Sequence, residues 1–178
     1  MEVQVSDAEL PGRSSEVWFV DGNIIIQTES TQFRVYRGIL AANSLVLSDM
    51  LSLSQPDKKY MVDDCPVVHF HDSPKDMVHF LKALHFPRYY QPLATTTWSI
   101  ILAMLCLGKK YEVEHLFKPA FKHLSTIFPS TLSGWLSRTY EGIENFNGLP
   151  LAMYQLAKET QCLSSSCIHV HYDHHHEG

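Results

Sequence analysis

A chain of 178 residues, 45% of them hydrophobic, can bury a packed core without disulfides or a structural metal. Its net charge of -5, with Lys58-Lys59 and Lys109-Lys110 the longest basic runs, argues against direct binding to nucleic acid or an anionic membrane. The four cysteines (Cys65, Cys106, Cys162, Cys167) form no CxxC, the start lacks a secretory pattern, and the longest apolar run, 100–107, is far short of the ~20 residues of a membrane span, so a cytoplasmic or nuclear protein is expected.

Residues 1–15 are poor in apolar side chains and are expected to be a flexible lead-in. Val17-Trp18-Phe19-Val20, Asp21-Gly22-Asn23 and Ile24-Ile25-Ile26-Gln27 read as a strand with a turn or bulge inside it. After a polar turn at 29–32, Phe33-Arg34-Val35-Tyr36-Arg37 alternates with period two, as a half-buried return strand does. Ile39-Leu40-Ala41-Ala42 follows and is halted by Asn43-Ser44. Ser44 is a good N-cap for a second short helix with Leu47, Met50 and Leu51 on one face. Residues 54–59 read as a polar loop around Pro56, and 65–71 as a strand.

Ser73-Pro74-Lys75-Asp76 predicts a helix start, with Met77, Phe80, Leu81 and Leu84 as its apolar stripe. A loop at 87–92 precedes a helix opened by Thr97, apolar nearly all round, that Gly108 is expected to stop. The next helix carries Val113, Leu116, Phe117, Ala120, Phe121 and Leu124. Glu112 and Glu114 fall in its first turn, Lys122 and His123 near its end, and a kink is expected at Pro119. Leu132, Trp135 and Leu136 suggest a short helix. Asn147-Gly148 breaks the chain, and Pro150 starts a last helix with Leu151 and Tyr154. From Ser164 onward a polar, histidine-rich tail is expected to be disordered. The layout is α+β: a small mixed sheet with a hairpin and flanking helices, then extra C-terminal helices.

The stretch Phe33-Arg34-Val35-Tyr36-Arg37-Gly38-Ile39-Leu40-Ala41-Ala42-Asn43-Ser44-Leu45-Val46-Leu47-Ser48-Asp49-Met50-Leu51 resembles the BTB/POZ signature. That signature is Phe-x-Val-His-(Lys/Arg)-x-x-Leu-(Ala)-x-x-Ser-x-x-Phe-x-x-Met-(Phe/Leu). Tyr36 stands at its His position and Leu47 at its Phe position, and both preserve bulk. The wider chain is similar to the BTB proteins of mushroom-forming fungi. Trp18-Phe19-Val20-Asp21-Gly22-Asn23-Ile24, Cys65-Pro66-Val67-Val68-His69, Asp72-Ser73-Pro74-Lys75-Asp76, Leu107-Gly108-Lys109-Lys110-Tyr111 and Phe128-Pro129-Ser130-Thr131-Leu132 carry that likeness. It covers roughly 16–160. Four segments follow: a lead-in at 1–15, a BTB/POZ-like domain at 16–126, a helical extension at 127–163 and the tail at 164–178.

The resemblance implies a non-enzymatic interaction module that homodimerises and serves as an adaptor or scaffold, in some members docking on a cullin ubiquitin ligase. Cullin-binding members carry an apolar-x-Glu element just after the Met-Phe/Leu helix, and Ser52-Leu53-Ser54-Gln55-Pro56-Asp57 has none. The family's acidic and basic positions on the first two strands correspond to Asp21 and Arg37, implying a partly buried ion pair. The interaction surface is expected at Ile39, Leu40, Leu47, Met50 and Leu51, which offer more apolar area than a small sheet can cover.

Other chemistries have weaker motifs. Cys65, His69 and His71 share one face of a strand but match no standard zinc spacing. His169, His171, His174, His175 and His176 would bind transition metals from a flexible tail. No GxSxG, GxxxxGK(S/T) or GxGxxG occurs. No cofactor is expected. The alternatives are a metal-binding protein or metal-dependent enzyme using these His and Cys residues, or a transcriptional regulator acting through partners.

Overall fold

The computed structural model describes residues 11–53, 61–127, 131–136 and 143–144. The expected loop at 54–59, the break at Asn147-Gly148, the helix from Pro150 and the histidine-rich tail lie outside them. The chain divides into two compact units, residues 1–81 and 82–178.

The first unit is built on a five-stranded mixed sheet: β1 (Gly12–Trp18), β2 (Ile24–Thr28), β3 (Thr31–Val35), β4 (Met61–Val62) and β5 (Cys65–Phe70), in the order β1-β3-β2-β5-β4. β2 is its central strand. Ile24, Ile25 and Ile26 are all buried, because a central strand is covered on both faces and tolerates an unbroken apolar run. It pairs antiparallel with β3, from Ile24↔Val35 to Thr28↔Thr31, and parallel with β5, from Ile25↔Val67 to Thr28↔Phe70. Glu29 turns the β2–β3 hairpin at φ 46°. Asp63 and Asp64, at φ 49° and 59°, turn β4 into β5, a conformation that Asp accepts more readily than most residues.

Residues 12–15 belong to a strand, not a lead-in, and 17–27 hold two strands separated in the sheet by β3. The sheet curls, and a side chain of β1 reaches the turn at the other end of the strand order. Arg13 on β1 forms an ion pair with Asp63 beside β4 at 2.9 Å.

Between β3 and β5 the chain forms α1 (Arg37–Asn43) and α2 (Leu45–Leu53). α3 (Pro74–His85) begins at the expected Ser73-Pro74 signal. The Met77 amide donates to the Ser73 carbonyl at 3.0 Å, and Met77, Phe80, Leu81 and Leu84 are all buried. The division between the units falls inside this helix.

In the second unit, α4 (Trp98–Lys110) packs against α5 (Glu114–Ile127), with a short α6 (Leu132–Leu136) after them. A parallel pair of two-residue strands, β6 (Thr96–Thr97) and β7 (Ile143–Glu144), has no precursor in the sequence patterns. Gly108 does not stop α4, which runs to Lys110. An added Cβ at Gly108 would lie 3.2 Å from Phe117 Cβ, so the glycine allows two helices to approach closely. Glu112 lies in the turn before α5 at φ 53°, leaving Glu114 as the first-turn acid. α5 continues through Pro119. His123 is no C-terminal cation. It is 2% exposed, and burial pushes its imidazole below the ordinary range, toward the neutral form. Among the described residues no helix is long and apolar enough to cross a membrane.

Candidate interaction surface

Side-chain hydrogen bonds fix the ends of the first two helices. Tyr36 at the N-terminus of α1 makes no capping bond with its side chain. The Asn23 carboxamide oxygen, from the β1–β2 loop, accepts from the Arg37 amide at 2.8 Å instead. At the start of α2 the Ser44 hydroxyl accepts from the Leu47 amide at 3.0 Å, the N-cap geometry that satisfies an otherwise orphaned donor. The Arg37 guanidinium then donates to the Leu51 carbonyl at 3.0 Å, joining the start of α1 to the C-terminal part of α2.

The expected surface residues divide into two sets. Leu40, Leu47 and Leu51 are only 0%, 1% and 3% exposed, so these three are core residues of the lone chain and not an open surface. The physical reason is the helical repeat. Leu47 and Leu51 are four residues apart and share the inward face. Ile39 and Met50 are half-buried, with part of each side chain in solvent. The most exposed apolar residue of the two helices was not singled out by the stripe. Leu45, at 78% exposure, precedes Leu47 by two residues and so points to nearly the opposite side of α2. Val46 is half-buried as well, so Ile39, Leu45, Val46 and Met50 carry the outer apolar surface of α1 and α2. The signal that could have identified Leu45 was its place off the 47/50/51 stripe.

The expected Asp21–Arg37 pair does not form. Asp21 Oδ1 accepts from the Tyr36 hydroxyl at 2.5 Å, and Arg37 is spent on the Leu51 carbonyl. The Tyr36 bond, joined by a backbone amide and by the charge of Arg34, holds the Asp21 carboxyl below its ordinary value. The same bond raises the Tyr36 phenol. Tyr36 also packs against Phe19, with ring centroids 4.9 Å apart, so this aromatic ties the β1–β2 turn to the start of α1.

The remaining chemistry-bearing residues are dispersed. The Cys65 thiol is buried and donates to the Gly22 carbonyl at 3.3 Å, whereas His69 and His71 are exposed. Among the described residues no three His, Cys, Asp or Glu side chains are grouped as a metal site. In the second unit Tyr90 is buried and its phenol is pushed up to about 12 by desolvation. The tail histidines lie outside the described residues. No protein-family model matches the chain, and no curated protein matches it.

Proposed function

We propose that this chain is a protein-interaction module of the BTB/POZ type that self-associates through the outer faces of α1 and α2 and serves as an adaptor in the cytoplasm or nucleus. One observation carries the reading: Leu45 stands 78% exposed on α2, in the same helix pair as the half-buried Ile39, Val46 and Met50. Isolated exposed leucines are ordinary, but an apolar set gathered on two adjoining helices is the composition of an interface centre. The residues of the signature support the same reading. Phe33 and Val35 of β3, Leu40 of α1, and Leu47 and Leu51 of α2 are all buried, so these signature residues form the inside and leave the outer faces for a partner. The order of hairpin, two helices, parallel strand and further helices is the α+β layout that the resemblance implies.

Affinity capture with the full chain tests self-association. Leu45→Glu places a charge in the surface and should abolish capture of a differently tagged copy of the chain, while circular dichroism remains that of the wild type. Undiminished capture by this variant would refute the assignment of the surface.

A further inference from the structure

We infer that β1 is a releasable strap, latched across the curled sheet by the Arg13–Asp63 ion pair, whose release uncovers the cluster of Ile25, Cys65 and Val67 while the other strands stay paired. β1 is an outermost strand, and its pairing with β3 is interrupted. Register pairs occur at Gly12↔Thr31, Arg13↔Gln32 and Trp18↔Arg34, so β1 advances five residues (13 to 18) while β3 advances two (32 to 34). The excess residues leave the ladder. The Ser14 hydroxyl accepts from the Glu16 and Val17 amides at 3.2 Å each, a local engagement of those donors.

Beside these pairs, the Gly12 amide donates to the Ser30 carbonyl at 2.7 Å and the Phe19 amide, just past β1, to the Arg34 carbonyl at 2.9 Å, so backbone bonds tie the two ends and side-chain contact holds the stretch between. Val17 is buried, and Trp18 packs with Val62 against the Ile25–Cys65–Val67 cluster. The Arg13 guanidinium lies 4.8 Å from the centre of the Trp18 ring and reaches Asp63 at 2.9 Å. One side chain thus secures the cover over the cluster and fastens it to the far edge of the sheet. Both partners of this pair are substantially exposed, at 56% and 38%, so ions in solution weaken it. Segments held by few backbone bonds and a screened contact open below the global unfolding free energy.

Cys65 reports this opening, because it is buried in the cluster against which Trp18 of the strap packs. Alkylation of the intact protein with N-ethylmaleimide, read at Cys65 by peptide mass spectrometry, measures the open population. Labelling should proceed in native buffer with a urea dependence much shallower than that of global unfolding. Arg13→Gln and Asp63→Asn, the latter keeping a side chain that accepts the positive φ of the turn, should each raise the rate about two- to fivefold, and the double variant should label no faster than the faster single variant. Salt at 1 M, where the screening length is about 3 Å, should accelerate the wild type without any substitution. Labelling that follows global unfolding in urea, or rates indifferent to salt and to both substitutions, would overturn the strap. Additive effects in the double variant would overturn the latch.

Discussion

The Tyr36 hydroxyl donates to Asp21 Oδ1 at 2.5 Å, tying the residue before α1 to the turn that follows β1. Removing the hydroxyl removes the largest cause of the lowered Asp21 carboxyl. In Tyr36→Phe the Asp21 pKa should rise toward 3.8, its ordinary value, as followed by carboxyl-carbon NMR during an acid titration. The folded pKa lies below the unfolded one. The contribution of Asp21 is thus complete above the unfolded value and is lost as pH falls through the folded value. Tyr36→Phe should flatten that part of the acid-stability profile, and an unchanged Asp21 titration would show that another group sets it.

Ser44→Ala tests the cap of α2. The Leu47 amide would be left without its acceptor at a buried position, which costs about 1 kcal/mol by analogy with other N-caps. Urea unfolding should show a lower midpoint with an unchanged slope. A loss within experimental error of zero would mean that α2 is held by packing alone.

Gly108→Ala sets two effects against each other. Alanine favours a helix interior by about 1 kcal/mol over glycine. Its Cβ would meet Phe117 Cβ and N at 3.2 Å and Cα at 3.3 Å, and backbone atoms of a packed helix yield poorly. Overpacking of this kind costs about 1–3 kcal/mol. The net expectation is destabilisation by about 1 kcal/mol in chemical denaturation, and a stabilised variant would show that α4 and α5 part easily.

His123 makes stability depend on pH with the opposite consequence from a paired histidine. Burial lowers its folded pKa, so the unfolded chain binds the proton more tightly. The contribution is fully present above the unfolded pKa, about 6.5, and is lost as pH falls below it. The difference in stability between wild type and His123→Leu, measured by denaturation from pH 8 to 5, should shift steadily in favour of the variant. A pH-independent difference would show that His123 stays neutral or equally protonated in both states.

Local chemistry was legible in the sequence and long-range pairing was not. Ser44 and the Ser73-Pro74 start act on their immediate neighbours, and both helices begin where those residues predict. The stripe of Leu47 and Leu51 was equally clear as a periodicity, but a stripe does not say whether core or partner covers it, and here the core does. The run from Val17 to Gln27 was read as one interrupted strand. β3 lies between its two halves, an arrangement decided by residues 31–35 and invisible in the run itself. Gly108 was read as a stop because the Phe117 backbone that requires it is nine residues away and in another helix. The Asp21–Arg37 pair is what the family resemblance implies, yet the Leu51 carbonyl takes the guanidinium and a phenol takes the carboxylate.

Light scattering of the purified full chain at tens of micromolar tests self-association through α1 and α2 most directly. The account predicts a particle of twice the 20.4 kDa chain mass for the wild type and a particle of the single-chain mass for Leu45→Glu, with the same circular dichroism spectrum for both and a lower, concentration-independent unfolding temperature for the variant. A wild-type particle of one chain, or a Leu45→Glu particle that still holds two, would contradict it.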